Sequence, residues 1–374
     1  MKKLIFLFFS VILVVSVFAP CGSAHPAQPP LVQLAILLDT SNSMDGLIEQ
    51  AKSQLWAIVN QLAQTRKNGK SPRLEVALYE YGNNNIPRSD GYVRLIAPFC
   101  SDLDLISEEL FGLRTNGGDE YCGLVIHNAI QNLRWSHSND DLKMVVIAGN
   151  EPFTQGNIGY QYACRNAMER GIVVNTIFCG NYQEGVETKW KSGADLTEGS
   201  YTYIDQDLPP VDIHAPQDDE ITKLGQEMND TYIPFGVRGQ LNKERQEAQD
   251  TNAQSVAGEA AVQRSVTKAS KLYDNTAWDL VDAVKANGYD FLAKVKADEL
   301  PPEMQKMSPT QRKSYVAEKI KEREELQEKI NRLSQERQVY ITKEQQKLSQ
   351  DRSFGTAILE AIRKQAVKKG FVIN

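Results

Sequence analysis

The stretch LVQLAILLDTSNSMDG (31–46) decides the fold. Its first eight residues are apolar but for Gln33, the pattern of a strand buried on both faces, and the run stops at Asp39. Asp39, Ser41 and Ser43 then alternate, so their side chains turn to one side of an extended segment and can bring a carboxylate and two hydroxyls to a point. Three hard oxygens suit a small divalent cation, Mg2+ first because it is octahedral and keeps several waters, with Mn2+ or Ca2+ as alternatives. The simpler use of the same residues is that Ser41, Asn42 or Ser43 caps the helix that follows. That helix, over about 45–65, carries Leu47, Ile48, Ala51, Leu55, Ile58, Val59 and Leu62 at helical spacing, and Met44 and Trp56 read as packing residues.

Outward from this stretch, RLEVALYEY, VRLIAPF, KMVVIAG, GIVVNTIF and SYTYI are further short β-branched or aromatic runs separated by amphipathic segments. The expectation is an α/β fold, a doubly wound, mostly parallel sheet over 31–205, in which ligands collect at the carboxyl ends of the strands. Asp39 lies at that edge.

The DTSNS motif after an apolar strand, a Gly-Gly turn with an oxygen ligand and a strand ending near Glu-Pro resembles the von Willebrand factor type A domain and its metal-ion-dependent adhesion site. The resemblance implies that Ser41 and Ser43 bind the metal, with Asp39 binding or orienting. In the second motif, LRTNGGDEYCG, Asp119 follows the glycine pair and is the preferred ligand, with Thr115 and Glu120 as fallbacks; Asp119 capping a helix from Glu120 is the alternative. In the third, VVIAGNEPF, Gly149 stands where the family has an aspartate, leaving Asn150 and Glu151 as displaced donors. A degenerate site that keeps the fold without the metal is the competing expectation. Phe153 beyond it is a candidate for a partner surface, and Trp190 for packing.

Lys2 and Lys3 before the apolar run 4–18 read as a signal peptide over 1–24, with 25–30 a linker and Cys21 an imperfect lipoprotein acceptor. Export to the periplasm or cell envelope makes disulfides plausible for Cys100, Cys122, Cys164 and Cys179. Cys164 opens a helix and Cys179 closes the next strand, so the expected pairs are Cys164–Cys179 and Cys100–Cys122, with four buried free thiols as the alternative.

The proline- and acid-rich stretch 206–219 reads as a linker, and 220–374 as an all-α, partly coiled-coil-like domain. Leu326, Ile330, Leu333 and Tyr340 form a seam interrupted by Arg337 and Glu344, expected to pack Trp278, Leu280, Val281 and Val284. The last helix is basic on one face, read as solvated, with a membrane surface as the alternative.

With 41% hydrophobic and 24% charged residues and a formal charge of −6, the chain has an ordinary globular composition and no polyanion-binding character overall, so nucleic acid is not expected as a partner. No motif for a catalytic nucleophile, zinc protease or phosphate loop occurs, and His127, His137 and His214 lack ligand partners in the sequence, so catalysis is not expected. The expected function is that of an exported adhesion-type protein binding an acidic group of a protein partner through its cation. The alternative is a metal-free scaffold in an envelope assembly, with an enzyme third.

Overall fold

In this computed structural model, residues 29–205, 213–345 and 354–373 are described. The signal-peptide reading, the Cys21 acceptor, most of the 25–30 linker and half of the 206–219 linker lie outside them.

Strand β1 (Leu31–Asp39) and helix α1 (Asp45–Ala63) follow the opening motif, joined by a short 3-10 turn. Then come β2 (Thr65–Arg66), β3 (Arg73–Tyr81), β4 (Val93–Cys100), α2 (Leu103–Gly112), α3 (Cys122–Asn132) and β5 (Leu142–Gly149). The α/β part ends with α4 (Tyr160–Glu169), β6 (Val173–Cys179), α5 (Tyr182–Glu187), α6 (Trp190–Asp195) and β7 (Tyr201–Ile204). The six-stranded sheet has the order β4-β3-β1-β5-β6-β7, with only the β3–β4 pair antiparallel. This is the doubly wound, mostly parallel sheet expected, and β1 is central because a wholly buried strand needs a partner on each side.

Two cores flank the sheet. On one face Leu37, Tyr79, Ile147 and Phe178 meet α3 and α4 through Val125, Ile130 and Ala163. On the other, Leu34, Ile36, Val76 and Val146 meet α1 through Leu47, Leu55 and Leu62.

The second core does not stop at α1. The chain continues as α7 (Asp218–Glu227), α8 (Gly239–Val256), α9 (Gly258–Lys268), α10 (Leu280–Asn287), α11 (Pro302–Gln305), α12 (Pro309–Gln345), α13 (Phe354–Lys368) and β8 (Val372–Ile373). Leu224, Val262, Trp278, Ile330, Ile358 and Ile362 belong to the same cluster as the α1 residues, so the helical half covers the outer side of α1. The half is not wholly helical, because β8 pairs with β2. The expected packing against the α12 seam divides in two. Trp278 joins Ile330, Leu326 and Leu333 in the shared core, whereas Leu280, Val281 and Val284 form a separate cluster with Ile233, Met304 and Val316.

Buried ion pairs fix the helices. Arg264 lies 2.6 Å from Asp104 of α2 and 2.8 Å from Asp250 of α8, with its guanidinium 4.4 Å from the Trp56 ring centroid. Arg337 interrupts the heptad pattern yet is buried, because its guanidinium holds Asp218 at 2.6 Å and also Glu259.

The disulfide expectation is overturned: among the described residues none of Cys100, Cys122, Cys164 and Cys179 is in a disulfide. Cys179 packs into the α1-side core and Cys164 into the α3/α4-side core, so the sheet stands between them. Cys100 and Cys122 are separated in the same way. Ending a strand and lying on the adjoining helix places two residues near one edge, but the strand's alternation decides the face, and here the faces differ.

Replacing Arg264 by alanine would leave Asp104 and Asp250 buried and underpaired. The expected cost is about 3–5 kcal/mol, read in urea denaturation. Because the core is shared, sheet and helices are expected to melt together; two separate transitions in the parent protein would contradict a common core.

Candidate cation-binding site

β1 delivers Asp39 to the carboxyl end of the sheet, completely buried. Its Oδ1 accepts the Ser41 backbone N–H at 2.8 Å, which folds the turn back on the carboxylate. Ser41 Oγ and Ser43 Oγ are 3.4 Å apart, and Ser43 Oγ accepts from Asn150 Nδ2 at 3.0 Å. Ser41 makes no side-chain cap at the 3-10 turn, and the N-cap position of α1 is Met44, which makes none either. Ser43 is exposed, which opens the cluster to solvent on one side. Thr40, between the alternating residues, points away and donates to Glu80 at 3.2 Å.

The second loop contributes a different carboxylate from the one preferred in the sequence. Asp119 is exposed and accepts from the Tyr121 hydroxyl at 2.9 Å, and it caps no helix, since α3 starts at Cys122 without a side-chain cap. Thr115 donates to Asp45 instead of joining the cluster. Glu120 is the buried one, interacting with Asp39 and Ser41. Its backbone N–H donates to Gln155 Oε1 at 3.0 Å, and Gln155 Nε2 donates to Glu151 Oε2 at 3.1 Å, holding the half-buried Glu151 nearby. Phe153, a candidate for a partner surface, is fully buried against Trp190, their ring centroids 4.7 Å apart. Its exposure is therefore overturned: the turn after β5 folds inward and closes the α3/α4-side core.

The third motif has no room for the family's aspartate. A Cβ on Gly149 would run into the Tyr81 hydroxyl and lie 3.0 Å from Asp39 Oδ2. Tyr81 Oη donates to the Ala148 carbonyl at 2.9 Å and fills that space. Gly82 is equally constrained: with φ +79° it has a left-handed backbone, and a Cβ there would sit 2.8 Å from both Asp39 Oδ1 and Glu120 Cγ. Beside it Asn83 is buried and donates to the Arg114 carbonyl at 2.8 Å and to Thr40 Oγ1 at 3.2 Å, tying three loops together. Gly82 and Asn83 carry no motif signal; a buried asparagine in a turn-rich loop has meaning only once its partners are known.

Burial pushes the Asp39 carboxyl up to about 6, and burial together with the neighbouring Asp39 charge pushes Glu120 up to about 10. Asp39 Oδ2, Glu120 Oε2 and Asn150 Oδ1 are buried without a hydrogen-bond partner among the described residues. Unsatisfied buried oxygens are costly, and these three belong to the residues that the alternating motif brings together. The donor set fits a cation: two carboxylates, two hydroxyls and an amide oxygen, from Asp39, Glu120, Ser41, Ser43 and Asn150. It is not a site of His, Cys, Asp or Glu alone; among the described residues no three of those types are placed to hold a metal.

Similar solved structures match just under half of the chain. They include von Willebrand factor type A domains. The VWA domain of SpRpn10 is 15% identical, with a TM-score of 0.35, 46% of this chain and 86% of that chain being covered. BatB from Bacteroides thetaiotaomicron is 18% identical with a TM-score of 0.35, covering 46% of this chain and 90% of that one. Proximal thread matrix protein 1 from the mussel byssus is 14% identical with a TM-score of 0.36, and here the chain spans 41% of the relative's length. No protein-family model and no curated protein matches the chain. The chemistry of the site rests on the residues described above.

The raised carboxyls set a pH dependence. An acid whose folded pKa lies above its unfolded value binds its proton more tightly when folded, so stability is fully present below about pH 4 and lost as pH rises through about 6 for Asp39, continuing towards 10 for Glu120. In chelator the melting temperature is expected to fall between pH 5 and pH 8. Mg2+ is expected to restore it at pH 8 and do nothing near pH 4.5; a melting temperature indifferent to both would remove the coupled pair.

Proposed function

We propose that the type A part of this chain is a divalent-cation-dependent binding domain that engages an acidic group of a protein partner. The observation that carries the reading is the convergence of Asp39, Ser41, Ser43, Glu120 and Asn150, with three buried oxygens left without a partner. Asp39, Glu120 and Asn150 would hold the ion from inside, and Ser41 and Ser43 from the loop. When bound, the ion would supply a positive centre that can accept a carboxylate oxygen from outside. The chain's own contribution is orientation: Ser41 N–H turns Asp39, Asn150 steadies Ser43, and Gln155 fixes the backbone at Glu120. Asp39 and Glu120 interact with Ser41, but the cluster includes no histidine to activate its hydroxyl as a nucleophile, and this favours binding over catalysis.

The Lys2, Lys3 and apolar 4–18 pattern supports export to the cell envelope. No helix of the described residues is long and apolar enough to cross a membrane. One observation favours the metal-free scaffold as a second reading: the space of the family's third acidic ligand is occupied by the Tyr81 hydroxyl.

Isothermal titration of Mg2+, then Mn2+, into chelator-stripped protein separates the two. The cation reading expects one site, lost in Ser41→Ala plus Ser43→Ala and weakened at least tenfold in Glu120→Gln, with Asp119→Asn unchanged. Loss with Asp119→Asn but not Glu120→Gln would reassign the carboxylate, and absence of binding in the parent protein would favour the scaffold.

A further inference from the structure

Two stretches of this acidic chain are basic without one acidic residue: TRKNGKSPR (65–73) and RKQAVKK (363–369). They lie far apart in sequence, but the antiparallel β2–β8 pair, Thr65 against Ile373 and Arg66 against Val372, brings them together. They meet at the pole of the sheet where the parallel strands begin, opposite the candidate cation site. There the Arg73 N–H donates to the Pro30 carbonyl at 2.8 Å, just before β1. Lys67 donates to the Asp140 carbonyl at 2.6 Å and lies 5.3 Å from the Phe371 ring centroid, and Lys369 donates to the Asn139 carbonyl at 2.9 Å.

Acidic groups at the pole are few. Asp140 is 3.6 Å from Lys67, Glu198 is 3.2 Å from Lys368, and Asp141 accepts the Leu31 N–H at 3.1 Å. Lys70, Arg73, Lys364 and Lys368 are exposed. Among these basic residues two aliphatic side chains face solvent, Val367 at 65% and Val372 at 61% exposure. The apolar face of α13 is not available for insertion, because Ile358, Ile362 and Ala366 are buried in the shared core.

We propose that this pole docks on an anionic phospholipid bilayer, its lysines and arginines among the headgroups and Val367 and Val372 at the interface, so that the candidate cation site faces away from the membrane. Polybasic surfaces with exposed aliphatics are drawn to anionic headgroups. Against a net charge of −6, basic residues collected at one pole favour that pole turning towards such a surface. The chain also enters β1 at this pole.

The test is sedimentation of the full chain with neutral phosphatidylcholine vesicles and with vesicles containing one third phosphatidylglycerol. The apolar run meets both kinds, so the difference reads the charge. A preference for anionic vesicles is expected that is lost at high salt. It should fall several hundredfold in the variant Lys70→Glu, Arg73→Glu, Lys364→Glu, Lys368→Glu, from about fivefold for each of the four basic residues. A control with Lys285, Lys294, Lys306 and Lys321 each changed to Glu, all exposed residues of the helical half, should keep it. Thermal melting verifies that both variants fold; if the pole variant does not, the corresponding Gln variant takes its place and should lose the preference to a smaller extent. Equal binding to both vesicle kinds, equal loss in the control, or retention on a heparin column without vesicle preference would overturn the proposal.

Discussion

Helix α1 is buried on two sides, and both halves of the molecule are arranged around that fact. Its apolar stripe, including Leu47, Leu55, Ile58 and Leu62, lies on the sheet. Gln50, Asn60 and Gln61 are buried as well, and each finds a partner in another part of the chain. Asn60 donates to the Gln263 carbonyl at 2.8 Å and accepts from Thr267 at 2.8 Å, Gln50 donates to the Asp205 carbonyl at 3.0 Å, and Gln61 accepts from Arg363 at 2.7 Å. A buried amide without such partners costs free energy. The α9 and α13 positions are therefore conditions for burying α1, beyond any apolar area they cover.

The same helix begins directly after the candidate cation site. Asp45, its first residue, accepts from Thr115, so the serine loop and the glycine-pair loop are joined at the head of α1. Thr40, Gly82, Asn83 and the Arg114 carbonyl complete a bracing around Asp39 that leaves the carboxylate little freedom. A site built on a strand end and a clamped helix is preorganised, which suits a hard cation that tolerates little distortion. It also makes the site compact enough that the Tyr81 hydroxyl excludes a side chain at 149, while Glu120 places a carboxyl beside Asp39.

Charge is distributed along the strand direction. The acidic cluster of Asp39, Glu120 and Glu151 stands at the carboxyl ends of the strands, and the basic β2–β8 pole at their amino ends. In both cases side chains from distant stretches are gathered by backbone pairing, and composition alone, acidic overall, conceals the second.

The sequence by itself determined the six strands of the sheet and the helix after DTSNS, because burial periodicity is a local property of the chain, whereas Ser43 is placed by the 3-10 turn at Asn42–Met44 and not by strand alternation. Met44, Trp56 and Trp190 were legible as packing residues for the same reason. What tertiary structure alone decided depends on phase and partners. Glu120 rather than Asp119 faces inward because one residue of offset in an irregular loop is set by Gly82 and Gln155, which no spacing announces. Arg337, a breaker of the heptad pattern, is buried because Asp218 and Glu259 wait for it. The cysteines stay apart because proximity in chain order says nothing of which face of the sheet each occupies. Local pattern specifies which residues are buried; only the assembled fold specifies against what, and the chemistry of the site and of both poles lies in that second choice.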